Sequence, residues 1–467
     1  MNVKLFSLTS GLHAEAMSAA AQDPFVREVL SALAAAAPLL PVEVCGAPDG
    51  LTCGGEIPDQ VGDDASAPAA SPVMADLIGH LDVIYIRTGG TEGAFKASFT
   101  APDGTLRLPD APVLLLTSGK SNSLAASMEI LSFLRLQGQA GEILHGSAAY
   151  IAGRIVALAA GAHETGENGA GGDACVGRRP FDAAAWKPRL AGKRLGIVGR
   201  PSDWLISSDV DPAVARERLG LELVDVPMDE LLVEIRQGGY TLPEGVRWPS
   251  GKTITAPFQP RFGRTLTPEA FDGAMTIYGA LVRLVARYRL DALTLRCFDL
   301  LTSVGNTGCM ALALLNAQGI PASCEGDVPA LISMLLARSL TGCCGFQANP
   351  SRIDPQSGEM LLAHCTVPLD MIRTGEYDTH FESGIGVAVR GELPEGPVTI
   401  LKVSPDLRQC FAADATLLRN TAERDLCRTQ VVLRAPGTAR YFLTDSIGNH
   451  HIIIPGHHGR QLSGEEI

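Results

Sequence analysis

Acids, histidines and an amide gather in four short stretches of the later part of the chain, and their types suit divalent-metal and proton-transfer chemistry. The first is Cys324-Glu325-Gly326-Asp327, which sets two carboxylates just ahead of the apolar run that begins at Val328. Acids in that place cap a helix by satisfying its free N–H groups and its dipole. The same pair has the makings of a metal ligand beside a general base. The second stretch is Phe346-Gln347-Ala348-Asn349-Pro350, which reads as an irregular segment, because Asn before Pro is a turn former. The third is His364, which closes an apolar strand ahead of Cys365, where a lone histidine is ordinarily structural. The fourth is Asp445-Ser446-Ile447-Gly448-Asn449-His450-His451, followed by Gly456-His457-His458. Half of the 10 histidines therefore fall at His364 and in this last stretch, which favours a metal site in a strand-rich region.

Glu, Asn and His together suit a hard divalent ion with open coordination positions, manganese or magnesium. Zinc is the competitor, but Cys343, Cys344, His364 and Cys365 match no common zinc spacing. A Cys–His hydrolase with Cys324 or Cys365 as nucleophile needs a thiol of lowered pKa, and nothing in the sequence marks one. Gly119-Lys120-Ser121 is not a phosphate loop, because the motif demands an earlier glycine where the chain has Leu114. Arg200, Arg296 and Lys120 can meet an anionic substrate group, but surface or interdomain ion pairs are the expected role.

The elements that position these residues follow from apolar patterning. With 467 residues, the chain exceeds what one core usually serves. Short apolar runs alternate with helical patterns in the first half, which predicts parallel sheets with crossover helices. Met1–Leu8, Asp82–Arg87 and Pro112–Thr117 read as strands, and a helix is expected through Leu136. The stretch from His163 to Pro180, rich in glycine and polar residues, reads as a linker. A new α/β unit starts at Lys193–Gly199, includes the strand Asp291–Arg296, and continues into helices near Gly308–Gln318 and Val328–Leu340. After about Gly345, strands at Glu359–His364, Val398–Val403 and Gln430–Arg434 are separated by turns, which predicts a small barrel. The expected architecture is two Rossmann-like parallel-sheet domains, 1–178 and 190–345, followed by a mostly-β barrel domain, 346–467.

Hydrophobic residues at 46% and charged ones at 19% describe a folded chain rather than a disordered one. A formal net charge of −13 and the lack of any Lys/Arg-dense stretch argue against a nucleic-acid partner. The apolar run around Val29–Leu40 is too short for a bilayer and fits a helix laid on a sheet. The N-terminus lacks the pattern of a signal peptide, and 11 cysteines without CxxC pairs fit reduced thiols, so a cytoplasmic protein is expected.

Taken in order, these stretches resemble the L-fucose isomerase and L-arabinose isomerase superfamily, in its divergent L-fucose isomerase-like branch. The resemblance runs through Thr117–Ser127, Gly199–Ile206 and Arg296–Leu301. It is strongest at Cys324–Asp327, His364-Cys365, Thr379–Gly386 and Gly448–His451. It implies a metal-dependent aldose–ketose isomerase with a manganese ion, a sugar substrate, and a homo-oligomer whose active site lies near a subunit interface. Glu325 corresponds to the family's metal-binding glutamate, His450 (preferred over His451) to its C-terminal metal histidine, and His364 to a ligand histidine of the arabinose isomerase branch. The implied substrate contacts are Asn122, Trp204, Cys297 and His380. One position departs from the pattern: Asn349 stands where the family carries an acid that is both ligand and proton carrier. Neutral Asn cannot accept that proton, so Glu325 or Asp327 takes the base role, or the reaction is a lyase, epimerase or hydrolase on the same scaffold. A non-catalytic sugar-binding protein is the third reading, and it predicts no metal.

Overall fold

The computed structural model describes residues 2–10, 20–45, 80–161, 176–246, 248 and 266–466. The described chain groups into two compact units. The first comprises Met1–Asp173 with Ser351–Gln356 and Ala439–Asn449, and the second Ala174–Pro350 with Ser357–Thr438 and His450–Ile467.

In the first unit, strands β1 (Asn2–Leu8), β2 (Val42–Val44), β3 (His80–Ile86), β4 (Val113–Thr117) and β5 (Gly141–Leu144) form one parallel sheet in the order β2-β1-β3-β4-β5. Every residue of β4 is buried, as a central parallel strand covered on both faces must be. The apolar run after Asp23 forms the helix Pro24–Ala36; Asp23 caps it by accepting from the Phe25 N–H, and Val26, Val29 and Leu33 are buried. Past β4 the chain turns through Gly119, whose N–H reaches the hydroxyls of Thr117 and Ser123, and enters the helix Ser123–Leu136. Gly119-Lys120-Ser121 thus forms the turn into the helix, and no side-chain cap is made at its N-cap position, Asn122.

In the second unit, β6 (Arg178–Pro180) precedes a four-stranded parallel sheet of β7 (Arg194–Val198), β8 (Glu222–Val226), β9 (Ala292–Leu295) and β10 (Ala322–Cys324), ordered β10-β9-β7-β8. The later strands are β11 (Phe346–Ile353), β12 (Glu359–His364), β13 (Thr374–Asp378), β14 (Ala388–Glu392), β15 (Gly396–Val403), β16 (Gln409–Thr421), β17 (Thr429–Arg434) and β18 (His451–Pro455). Six of them run β15-β18-β11-β12-β17-β16, and pairing of β15 with β16 closes the barrel. Closure removes the exposed edges that an open antiparallel sheet would present. Parallel sheets and a closed antiparallel barrel are thus both present. No helix among the described residues is long and apolar enough to cross a membrane.

The helix Val328–Thr341 holds the parallel sheet and the barrel together. It is buried without interruption from Val328 to Ala337, because its apolar residues run all the way round. Leu331 and Leu335 share one core with Leu195 and Ala292 of the parallel sheet and with Leu401 and Ile452 of the barrel. Its N-terminus is therefore fixed on two sides, and the candidate site is built there.

Two expectations are corrected. Of the expected linker, residues 163–175 lie outside the described residues, and Arg178–Pro180 form a strand, because their backbone groups pair antiparallel with β16 from Gln409 to Phe411. Asn349 and Pro350 lie inside β11 rather than in an irregular segment. The ladder to β18 runs over Phe346–Ala348, so the missing N–H of Pro350 breaks no bond on that side.

Candidate active site

Glu325 sits in the turn between β10 and the helix Val328–Thr341, with a left-handed φ of +64° followed by +77° at Gly326. A Cβ at Gly326 would stand 2.4 Å from the Arg200 carbonyl oxygen and 2.5 Å from the Pro201 Cα, so only glycine lets the two turns touch. The Ser202 N–H donates to the Glu325 carbonyl at 2.9 Å, and the Trp204 indole donates to its carboxylate Oε2 at 2.7 Å. Glu325 is thus aimed by its backbone and clamped by one side chain.

Its other oxygen, Oε1, faces two histidines, His450 Nε2 at 3.5 Å and His364 Nε2 at 3.9 Å. The two imidazoles meet edge to face, with ring centroids 5.3 Å apart. The remaining nitrogen of each ring is anchored. His364 Nδ1 lies 2.8 Å from the Thr366 hydroxyl, and His450 Nδ1 lies 2.9 Å from Asp327 Oδ2. Asp327 is fully buried, caps the helix by accepting from the Ala330 N–H at 2.7 Å, and pairs with the buried Lys402 ammonium at 3.2 Å. The capping reading and the site reading of Asp327 are therefore both present in one side chain.

Burial alone would push the Glu325 carboxyl up; the hydrogen bond and charge of His450, with His364 and Trp204, carry it below the usual carboxylate range. Burial also opposes ionisation of Asp327, but Lys402 and His450 bring it down to about 2. His450, which burial would keep neutral, is held up at about 9 by its hydrogen bonds to Asp327 and Glu325. His364 goes the other way, to about 4, through burial and the neighbouring His450. The site thus holds one imidazole that keeps its proton and one that does not, and a divalent cation would have to displace the proton from His450 Nε2.

Donor spacing decides whether a divalent ion fits. Two ligand atoms each about 2.1 Å from an ion stand roughly 3–4 Å apart. The distances from Glu325 Oε1 to the two histidine nitrogens, 3.5 and 3.9 Å, lie in that window. Ligand atoms of Cys324, Glu325 and His364 all lie within 4.8 Å of one another. Cys324, Glu325 and His364 are thus spaced to share a divalent cation, and His450 lies outside that group of three and approaches it at Glu325 Oε1.

The other expected site residues distribute as follows. Trp204 holds Glu325, and it stacks edge-on with Phe298 at 4.8 Å, which in turn meets His380 at 5.3 Å. These rings form an aromatic wall leading from Glu325. Cys297 lies beside Cys324, with sulfurs 2.9 Å apart. The β11–β18 register ends with Ala348 opposite His451, and Asn349 and His450 are the next residues of the two segments beyond it. Asn122, in a left-handed conformation at the start of the helix Ser123–Leu136, belongs to the first unit. Arg296 takes the expected ion-pair role with Asp203 and Asp299. Arg200 and Lys120 do not: both are exposed, and neither side chain has a hydrogen bond or ion pair among the described residues.

Sequence reasoning missed three contributors. Lys402 lies in an apolar strand, and a cation in that setting was the available signal. Gln347 accepts from the Cys324 N–H at 2.8 Å, while its buried Nε2 has no partner among the described residues. Phe298 carries no sequence signal of its own.

Three known proteins match part of the chain, all of them sulfoquinovose isomerases. The protein from Clostridium sp. (strain MSTE9) is 33% identical over 95 residues, 20% of this chain and 21% of its own length. Those from Priestia aryabhattai and Priestia megaterium (strain ATCC 12872 / QMB1551) are each 32% identical over 121 residues, 25% of this chain and 27% of their own. The matches thus span little more than a quarter of these relatives at most. No protein-family model matches the chain.

Proposed function

We propose that the chain is a divalent-metal-dependent aldose–ketose isomerase acting on an anionic sugar, with a sulfonated aldohexose as the first candidate. The convergence of Glu325, His364 and His450 at one helix N-terminus carries this reading. The partial likeness to sulfoquinovose isomerases agrees with it.

Glu325, His450 and His364 would hold the ion, with Asn349 as a further oxygen donor. When bound, a divalent cation polarises the sugar carbonyl and stabilises negative charge on the neighbouring oxygens. Isomerisation moves a proton between adjacent carbons, so the chain must supply a carboxylate that accepts it and returns it. Asp327 is poorly placed for that task, since Ala330, Lys402 and His450 occupy its oxygens and no surface of it is exposed. Glu325 is ionised at neutral pH and, unlike Asp327, keeps some exposure, so the base role goes to its Oε2, which Trp204 holds, with Oε1 left to the ion. Asp327 is instead a positioning residue that fixes the His450 ring through Nδ1 and leaves Nε2 toward Glu325. The wall of Trp204, Phe298 and His380 supplies apolar ring faces for a sugar's C–H surface. The Gln347 amide supplies a donor for a hydroxyl. Arg200, whose backbone touches the Glu325 turn, is a cation within side-chain reach for the anionic end of the substrate.

Asn349 favours a second reading, an epimerase or lyase on the same scaffold, because the amide cannot carry a proton. Product analysis by NMR after incubation with Mn2+ and a panel of neutral and sulfonated aldoses separates the two. Ketose formation supports isomerisation, and a changed configuration or a shorter product replaces it. Glu325→Gln should cost at least about 10²-fold in turnover; near-normal turnover in that variant removes Glu325 from the chemistry. Assembly into a homo-oligomer that completes the substrate site is part of this proposal.

A further inference from the structure

We propose that Cys297 and Cys324 form an oxidisable dithiol, whose disulfide disables the neighbouring Glu325 turn. Both thiols are free and buried, at 4% and 3% exposure, and their sulfurs are 2.9 Å apart. A disulfide bond is about 2.05 Å long, so roughly 0.9 Å of closure separates this contact from a covalent bond. The topology produces the approach. Strands β9 and β10 are parallel neighbours with Leu295 opposite Cys324, and Cys297 follows just past the end of β9. Residues 27 apart in sequence are thereby brought side by side.

The consequence follows from the chain direction. Cys324 is the last residue of β10, and Glu325 follows it in a left-handed conformation. The Cys324 sulfur lies within 4.8 Å of the ligand atoms of Glu325 and His364. Drawing Cys324 toward Cys297 displaces the base of that turn, whose partner Gly326 is already in contact with Arg200 and Pro201 and has no room to follow. Part of this inference, the effect on the cation, rests on the reading of Glu325 as a metal ligand; the covalent step does not.

The oxidant is a peroxide. The sulfur of one cysteine attacks the peroxide O–O bond, becomes a sulfenic acid and releases one water. The sulfur of the second displaces the sulfenic hydroxyl as a second water and closes the S–S bond. Two thiols lose two electrons and two protons, and the peroxide gains them.

The test treats the full-length protein with graded hydrogen peroxide, blocks remaining thiols by alkylation, and maps crosslinked peptides by mass spectrometry. Mn2+ binding is measured by calorimetry on the same samples. The expected result is a Cys297–Cys324 crosslink that forms ahead of any other, with Mn2+ binding lost in proportion and both reversed by dithiothreitol. Cys297→Ser should keep whatever Mn2+ affinity it has when reduced through the same treatment. The inference is overturned by sulfinic acid without a crosslink, by earlier crosslinking among Cys309, Cys365 and Cys427, or by a full crosslink that leaves Mn2+ binding intact. Absence of Mn2+ binding in the reduced protein overturns the proposed function instead, and the crosslink map still decides the dithiol.

Discussion

Lys402 and Asp327 form a fully buried ion pair, with the ammonium 3.4 and 3.2 Å from the two carboxylate oxygens. At an effective dielectric of about 20, two unit charges at that separation attract by roughly 5 kcal/mol. Breaking such a pair from one side costs about 3–5 kcal/mol, because the partner charge is stranded. In Lys402→Met, Asp327 keeps the Ala330 N–H and the His450 ring, so the loss should fall at the lower end, about 3 kcal/mol. Asp327→Asn preserves the helix cap, since Asn caps as well as Asp, and it strands the lysine by a similar amount. The double variant carries neither charge and should lose less than the sum, with a coupling energy of about 2–3 kcal/mol. Urea midpoints at unchanged slope for the four proteins supply the cycle. Mn2+ affinity adds a readout that packing alone does not move: Asp327→Asn should lower it about 10–100-fold, and Lys402→Met much less. Additivity of the two stability losses within about 0.5 kcal/mol would refute the pair as the element that fixes His450.

Three further outcomes are expected. His145 donates from Nδ1 to the Thr117 carbonyl and accepts the Ile353 N–H at Nε2, so its buried ring is neutral, with a pKa lowered by burial from 6.5 to about 4. The unfolded chain then binds the extra proton first, and stability present above pH 6.5 should fall by about 3 kcal/mol as pH drops toward 4. Urea midpoints that stay flat between neutral pH and pH 5 in the wild type would contradict it. Arg200→Ala should raise KM for a sulfonated aldose by about tenfold and leave a neutral aldose unaffected, and an equal effect on both removes Arg200 from anion recognition. Gly326→Ala places a methyl 2.4 Å from the Arg200 carbonyl oxygen at a φ of +77°. It should cost more than about 2 kcal/mol by thermal unfolding, and a neutral effect would show that the two turns separate freely.

What the sequence disclosed, and what it did not, follows the range of the interactions. Local signals were sufficient for β12, whose span Glu359–His364 is bounded by turn residues, and for the helix at Val328, whose N-cap acid is adjacent to it. Neighbouring residues at the start of β18 also follow a local rule. Alternation sends His450 to Asp327 and sets His451 against the Phe411 ring at 5.8 Å. Lys402 escaped notice because its meaning lies 75 residues away, in a helix cap that only barrel closure brings to it. The same holds for Cys297 and Cys324, ordinary buried thiols until the order of β9 and β10 makes them neighbours. Asn349 misled for the opposite reason: Asn-Pro is a strong local turn signal, and a ladder to β18 that covers only Phe346–Ala348 lets the proline ride inside β11. Local chemistry therefore singles out candidate side chains and leaves their partners unread. In this chain the partners, Lys402 beneath Asp327 and Cys297 beside Cys324, are what determine how those side chains are held.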